Sequence, residues 1–135
     1  PNQVAPGKRP FHTIIPAFLT KDGQSVMSFG VMGGNMQPQG HMQTLVRMLV
    51  HGQQPQAACD APRWKVATGL QIDCEHTMAP VLQQGLRDLG HQIVTTPDAY
   101  MDYGSGQFIA RLSGDHEDGY VAASDSRREG QAVGF

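Results

Sequence analysis

The stretch that most limits what this chain can fold into is residues 24–43, QSVMSFGVMGGNMQPQGHMQ. It reads as a strand, then a glycine turn, then the start of a helix. Residues 25–31 form a short run of apolar and small residues, bounded ahead by the Asp22-Gly23 turn signal, as a buried strand is. Gly33 and Gly34 follow at once, where the backbone can turn sharply or lie close to a ligand because no Cβ intervenes. Pro38 suits the first turn of a helix, where its missing N–H costs no intrahelical bond. A strand feeding a glycine pair and a helix N-terminus leaves N–H groups facing outward, a geometry that holds an anion, a phosphate or a developing oxyanion. A glycine pair that turns the chain only for packing fits the same spacing.

The rest of the chain supplies the frame. Residues 1–11 are polar with three prolines and are expected to enter as an extended arm. Residues 12–20 read as a strand, with Pro16 placing it at an edge or bulge, and residues 24–31 return antiparallel across residues 21–23. Residues 38–51 are the best helix, with Met42, Leu45, Val46, Leu49 and Val50 as its inward stripe and Gly52 as its stop. A short helix over 55–61 ends before Pro62. Residues 64–67 and 70–75 form a hairpin about Thr68 and Gly69. A third helix over 79–89 turns Leu82, Leu86 and Leu89 inward and stops at Gly90. A short strand over 91–95 and a loop over 96–104 precede a last hairpin, 105–112 with 119–123, turning at 114–118. Residues 125–135 read as an irregular tail. Strands first, helices in the middle and strands last predict an α+β domain, an antiparallel sheet with helices on one face.

Composition removes several classes. At 135 residues the chain is one domain with room for a core. A net charge of −2 gives no footprint for nucleic acid, and no apolar run approaches the roughly 20 residues that span a bilayer. Cys59 and Cys74 are too few for a disulfide framework and read as buried thiols. Without HxxxH or HExxH spacing, and with Cys74-Glu75-His76 too tight to chelate from a strand, no metal is expected. The methionines around the glycine turn read as core filler. A chain starting at Pro1 reads as an excised piece. Any leader would lie upstream, which leaves a cytoplasmic and a periplasmic location equally open.

Several motifs, in order, carry a resemblance: PGKRP at 6–10, MGG at 32–34, DAPRW at 60–64 and SDSRREGQAVGF at 124–135. Together they resemble the C-terminal part of the small subunit of a gamma-glutamyltransferase. The resemblance implies an N-terminal nucleophile hydrolase fold, two stacked sheets between helical layers. It also implies a precursor that cleaves itself to expose a threonine whose hydroxyl attacks a gamma-glutamyl amide while its own amine serves as base. That threonine would precede this chain, since Thr13, Thr20 and Thr44 are internal, and the piece alone is expected to be inactive. Its partners would be the remainder of the small subunit and the large subunit. No cofactor is implied.

By the same resemblance, Gly33 and Gly34 match the pair that donates N–H bonds to the oxyanion. His12 and Thr13 occupy the place of two serines that hold the substrate's α-carboxylate. Thr13 keeps a hydroxyl; His12 does not, although an imidazole also hydrogen-bonds a carboxylate. Lys8 and Arg9 lie in the matching PGKRP motif, where Arg9 is expected to brace backbone carbonyls. Arg63 is expected to be structural, paired with Asp60. Two alternatives stay open: a related amidase such as a cephalosporin acylase, and a non-catalytic anion-binding module that needs only the glycine turn.

Overall fold

The computed structural model describes residues 3–97, 102–112 and 119–134. The expected turn at 114–118 and part of the loop over 96–104 lie outside them. The elements placed on described residues follow in the order β1 (Ala17–Lys21), β2 (Gln24–Val31), a 3-10 turn (Gly34–Met36), α1 (Gln37–Leu49), α2 (Pro55–Asp60), β3 (Trp64–Thr68), β4 (Gln71–Glu75), α3 (Pro80–Asp88), β5 (Gln92–Thr96), β6 (Gly106–Arg111) and β7 (Tyr120–Ser124). The class is α+β, as expected.

The strands make two sheets rather than one. The larger has the order β1-β2-β6-β7 and is antiparallel throughout. The smaller, β3-β4-β5, pairs β4 with β5 in parallel. The chain crosses through α3 between those two strands, the connection a parallel pair requires. The β1–β2 hairpin turns on Asp22 at φ 52 and Gly23 at φ 76, the left-handed pair that matches strand twist. β1 is shorter than expected: residues 12–16 lie outside any strand, and only the five residues after Pro16 pair with β2. β1 is an edge strand, where proline's missing donor is tolerated.

β2 alternates. Met27, Phe29 and Val31 turn into the core with Cys59, Phe108 and Ala123, the period-2 burial of a sheet covered on one face. Phe29 sits opposite Phe108 in the ladder, their rings stacked with centroids 5.8 Å apart. α1 and α2 cover this face. A second core of Ile72, Cys74 and Met78, with Trp64, Leu86 and Ile93 against it, fills the smaller sheet.

Helix α1 presents a different face from the one its periodicity predicted. Gln37, Gly40, Gln43 and Thr44 are its buried residues, while Met42, Val46, Leu49 and Val50 are exposed; of the expected stripe only Leu45 packs against the core. The reason is specific pairing. A Cβ on Gly40 would lie 2.7 Å from a Val31 methyl, so the glycine lets the helix rest on β2. Gln43 Nε2 donates to Trp64 O at 2.7 Å and its Oε1 accepts from Trp64 N at 3.1 Å. Gln39 Oε1 accepts from Val66 N at 2.7 Å. Two glutamines thus satisfy the open edge of β3, as a neighbouring strand would. In α3 likewise, Leu86 packs inward while Leu82 and Leu89 are exposed.

Candidate active site

The turn after β2 is built so that position 33 takes only glycine. Gly33 has φ 131 and Gly34 φ 57, both in the left-handed half that L-residues avoid. A Cβ on Gly33 would stand 2.9 Å from the Gly104 Cα, whereas one on Gly34 would meet nothing within 4 Å. Met32 N donates to Ser105 O at 2.9 Å and Met36 N to Gly33 O at 3.0 Å, which pins the turn on both sides. Gly33 and Gly34 are exposed, and among the described residues no group accepts a hydrogen bond from either N–H. A 3-10 turn over Gly34–Met36 leads from them into α1 at Gln37, whose N-terminal end carries the positive end of the helix dipole. Chemically, this is a place where negative charge is favoured.

His12 and Thr13 lie on an exposed segment ahead of β1. Gln37, in the first turn of α1, donates from Nε2 to Thr13 O at 3.2 Å, so this segment is tied to the helix that leaves the glycine turn. An apolar groove of about 630 Å³ is lined among others by Ile14, Ile15, Met32, Gln37, Phe108 and Val133, next in sequence to Thr13 and to Gly33, while His12, Thr13, Gly33 and Gly34 themselves do not line it. Lys8 donates to Gln3 O at 3.0 Å. Arg9 is exposed, and its expected bonds to backbone carbonyls are not formed among the described residues.

Behind the turn lies a buried charge cluster whose partners sequence reasoning missed. The partner of Arg63 is Asp125, at 2.7 Å with both side chains inaccessible, rather than Asp60. Asp60 instead accepts from Gln56 Nε2 at 2.9 Å and Ser126 N at 3.2 Å. The Arg63 fork also donates to Cys59 O, Tyr103 O and Gly104 O. Arg127 grips Glu75 with two bonds of 2.6 Å and reaches Asp125 Oδ1 at 3.1 Å. Glu75 in turn accepts from Arg63 N at 2.6 Å. Burial alone would raise the Asp125 carboxyl, but Arg63 beside it, with the N–H groups of Gly106 and Arg127, holds it below the usual carboxylate range. One sequence signal was available: Arg127 N donates to Asp125 Oδ1 at 2.9 Å, a local turn that Asp-Ser-Arg spacing favours.

This cluster also braces the site. Arg63 holds the carbonyls of Tyr103 and Gly104, Asp125 Oδ2 takes Gly106 N at 2.7 Å, and the glycine turn leans on the residues between. Cys59, Asp60 and Asp125 bring ligand atoms within 4.8 Å of one another. The Arg63 guanidinium already occupies Asp125 there, so the group suits a cation poorly. Both cysteines are buried free thiols.

Known proteins resemble this chain along its whole length. The family model described as Gamma-glutamyltranspeptidase matches residues 1–135. The glutathione hydrolase-like YwrD proenzyme of Bacillus subtilis is 34% identical over 99% of this chain and 26% of its own length. The oxamate amidohydrolase proenzyme of Klebsiella pneumoniae is 33% identical over 98% of the chain and 25% of its own. Among solved structures, the cephalosporin acylase from Bacillus halodurans superimposes with a TM-score of 0.84 at 44% identity, covering 98% of this chain and 24% of that one. The chain thus spans about a quarter of the length of these relatives. From its motifs, its fold and these matches together, the chain belongs to the gamma-glutamyltranspeptidase family, with the fold of the N-terminal nucleophile hydrolases.

Proposed function

We propose that this chain is the C-terminal part of the small subunit of an enzyme that cleaves gamma-glutamyl amides, and that it supplies half of the active site. The observation that carries the reading is the glycine turn ahead of α1, exposed at Gly33 and Gly34, whose two N–H groups have no acceptor among the described residues. In this reading a threonine outside the chain attacks the amide carbonyl, and its own amine takes the hydroxyl proton. The carbonyl oxygen gains the negative charge and accepts the Gly33 and Gly34 N–H groups. One such donor is worth about 3 kcal/mol in the transition state. His12 and Thr13, on the segment that Gln37 ties to α1, contact the substrate's α-carboxylate. The remainder of the small subunit and the large subunit complete the site, and the chain by itself turns nothing over.

A second reading is an amidase with another acyl group. It is favoured by His12 standing where a hydroxyl is expected and by the apolar lining of the groove that begins at Ile14. The experiment is a substrate panel on the intact protein that carries this segment: a gamma-glutamyl anilide, oxamate and an apolar acyl amide, each with the parent and with His12→Ser. A kcat/KM for the gamma-glutamyl substrate at least tenfold above the others supports the first reading. Preference for an apolar acyl amide, shifted toward gamma-glutamyl by His12→Ser, supports the second.

A further inference from the structure

We propose that His41 is a positioning residue for the glycine turn: its neutral imidazole accepts the Val31 N–H and clamps the end of β2 to α1, and protonation releases the clamp. The inference rests on Gly33 and Gly34 being the oxyanion donors. Val31 N donates to His41 Nε2 at 2.8 Å. A ring nitrogen that accepts carries no proton, so the bond fixes the tautomer with its proton on Nδ1 and excludes the imidazolium, in which both nitrogens donate.

The sheet explains why the bond is needed. Met32 N faces β6 and meets Ser105 O. Backbone direction alternates along a strand, so the Val31 N–H faces the other way. On that side β1 has already ended, its last partner pair being Ala17 and Phe29. Residues 12–16 lie outside any strand, so the carbonyl that a longer β1 would offer to Val31 is missing from the ladder. The Val31 N–H is therefore left without a strand carbonyl, and His41 takes the carbonyl's place. The ring is held from the side by Phe29, centroids 5.1 Å apart and tilted by 56°. Gly40 lets the helix approach Val31 closely enough for this reach.

Only Met32 separates this bond from Gly33, so a change in where Val31 sits is passed directly to the two donors. Burial lowers the His41 pKa, in keeping with a ring held neutral. Among the described residues, the elements around it supply no counter-ion. β2 and the 3-10 turn carry no titratable residue. On α2, Asp60 is bound to Gln56 and Ser126 while Cys59 faces Gly106 O and Asp125. On α1 itself, Arg47 donates to Pro62 O. His12 lies exposed on the segment that Gln37 holds.

The test uses the intact enzyme and two variants. His41→Gln keeps an acceptor and cannot titrate; His41→Phe keeps a ring on Phe29 and removes the acceptor. Backbone hydrogen exchange in the peptide containing Val31, corrected for intrinsic rate, should lose protection in the parent as pH falls below the ordinary imidazole value of about 6.5, where the lowered pKa places the protonation, and hold it in His41→Gln. Over the same fall in pH the ratio of parent kcat to His41→Gln kcat should fall about tenfold, the loss of one hydrogen bond's worth of positioning, with the KM ratio within twofold. His41→Phe should have kcat about tenfold down at every pH. Protection that ignores pH, or a flat kcat ratio, overturns the role of His41. Comparing Gly34→Pro with Gly34→Ala keeps the two readings apart. A kcat insensitive to both defeats the oxyanion assignment. A kcat sensitive to Gly34→Pro, with a flat His41 ratio, defeats the clamp alone.

Discussion

Arg63 and Asp125 are 62 residues apart in sequence and meet at 2.7 Å, with side chains 1% and 0% exposed. The pair joins the corner between α2 and β3 to the segment that follows β7. Because both charges are out of water, each depends on the other, and a buried ion that loses its partner is far costlier than an exposed one.

Arg63→Met is therefore expected to destabilise the fold by about 3–5 kcal/mol, by leaving Asp125 buried without a counter-charge. Arg63→Lys keeps the charge but not the planar fork that serves Cys59, Tyr103 and Gly104 together, and should recover only part of the loss. Denaturant unfolding of the three proteins measures this. A loss below about 1 kcal/mol for Arg63→Met would place the pair among ordinary surface ion pairs.

Two groups predict how stability falls with acid, at separate pH. Asp125 has its folded pKa depressed, so its contribution is complete above the unfolded carboxylate value of about 3.9 and is lost as pH drops through the lower folded value. His41 is also depressed, but it is a base buried neutral. Its contribution is complete above about pH 6.5 and declines below that, as the unfolded imidazole takes up a proton that the folded one resists. Unfolding free energies between about pH 8 and 3 should show the upper decline vanish in His41→Gln. A decline near pH 6 that survives in His41→Gln would assign it to another group.

The two glycines should respond differently to a methyl group. Gly33→Ala drives a Cβ against the Gly104 backbone, and it should lower both stability and kcat. Gly34→Ala has open space and costs only the left-handed conformation, about 1–2 kcal/mol, with its N–H retained. Gly34→Pro removes the donor and forces φ from 57 to about −65. In folded, processed enzyme, kcat should fall at least about 100-fold for Gly34→Pro and less than about tenfold for Gly34→Ala. Equal kcat in both would reject donation from Gly34.

The cysteines should be inert until the fold opens. Burial pushes the Cys59 thiol up to about 12, helped by the Asp125 carboxylate beside it, and burial raises Cys74 as well. Since the thiolate is the nucleophile, a thiol-reactive disulfide at pH 8 should modify neither residue in native protein and both in denaturant. Rapid modification of Cys59 in the native state would contradict the packing of α2 on β6.

What the sequence disclosed followed local rules. β2 runs over the residues that its pattern and the Asp22-Gly23 turn marked, and Pro38, Gly52, Pro62 and Gly90 bounded helices where their backbone chemistry requires. What stayed hidden depended on partners distant in the chain. Hydrophobic spacing in α1 picks out Met42, Val46, Leu49 and Val50, but it cannot register that Gln39 and Gln43 satisfy the edge of β3. Nor could composition show that the charged tail holds the counter-ions of Arg63 and Glu75. The glycine turn was legible as a turn from its spacing, and as a candidate site only through the motifs around it.

The distance between Arg63 and Asp125 also has a consequence in time. A ribosome adding about 5–20 residues per second delivers Arg63 roughly 3–12 s before Asp125. Through that interval the α2–β3 corner has a guanidinium to bury and no carboxylate from the tail to receive it, and Glu75 likewise waits for Arg127. The corner must stay hydrated until the last strand has passed, which makes completion of the tail a checkpoint on the nascent chain. Nascent chains stalled before residue 125 should be cut by protease around residues 60–64, and those extended through residue 134 and clear of the exit tunnel should resist.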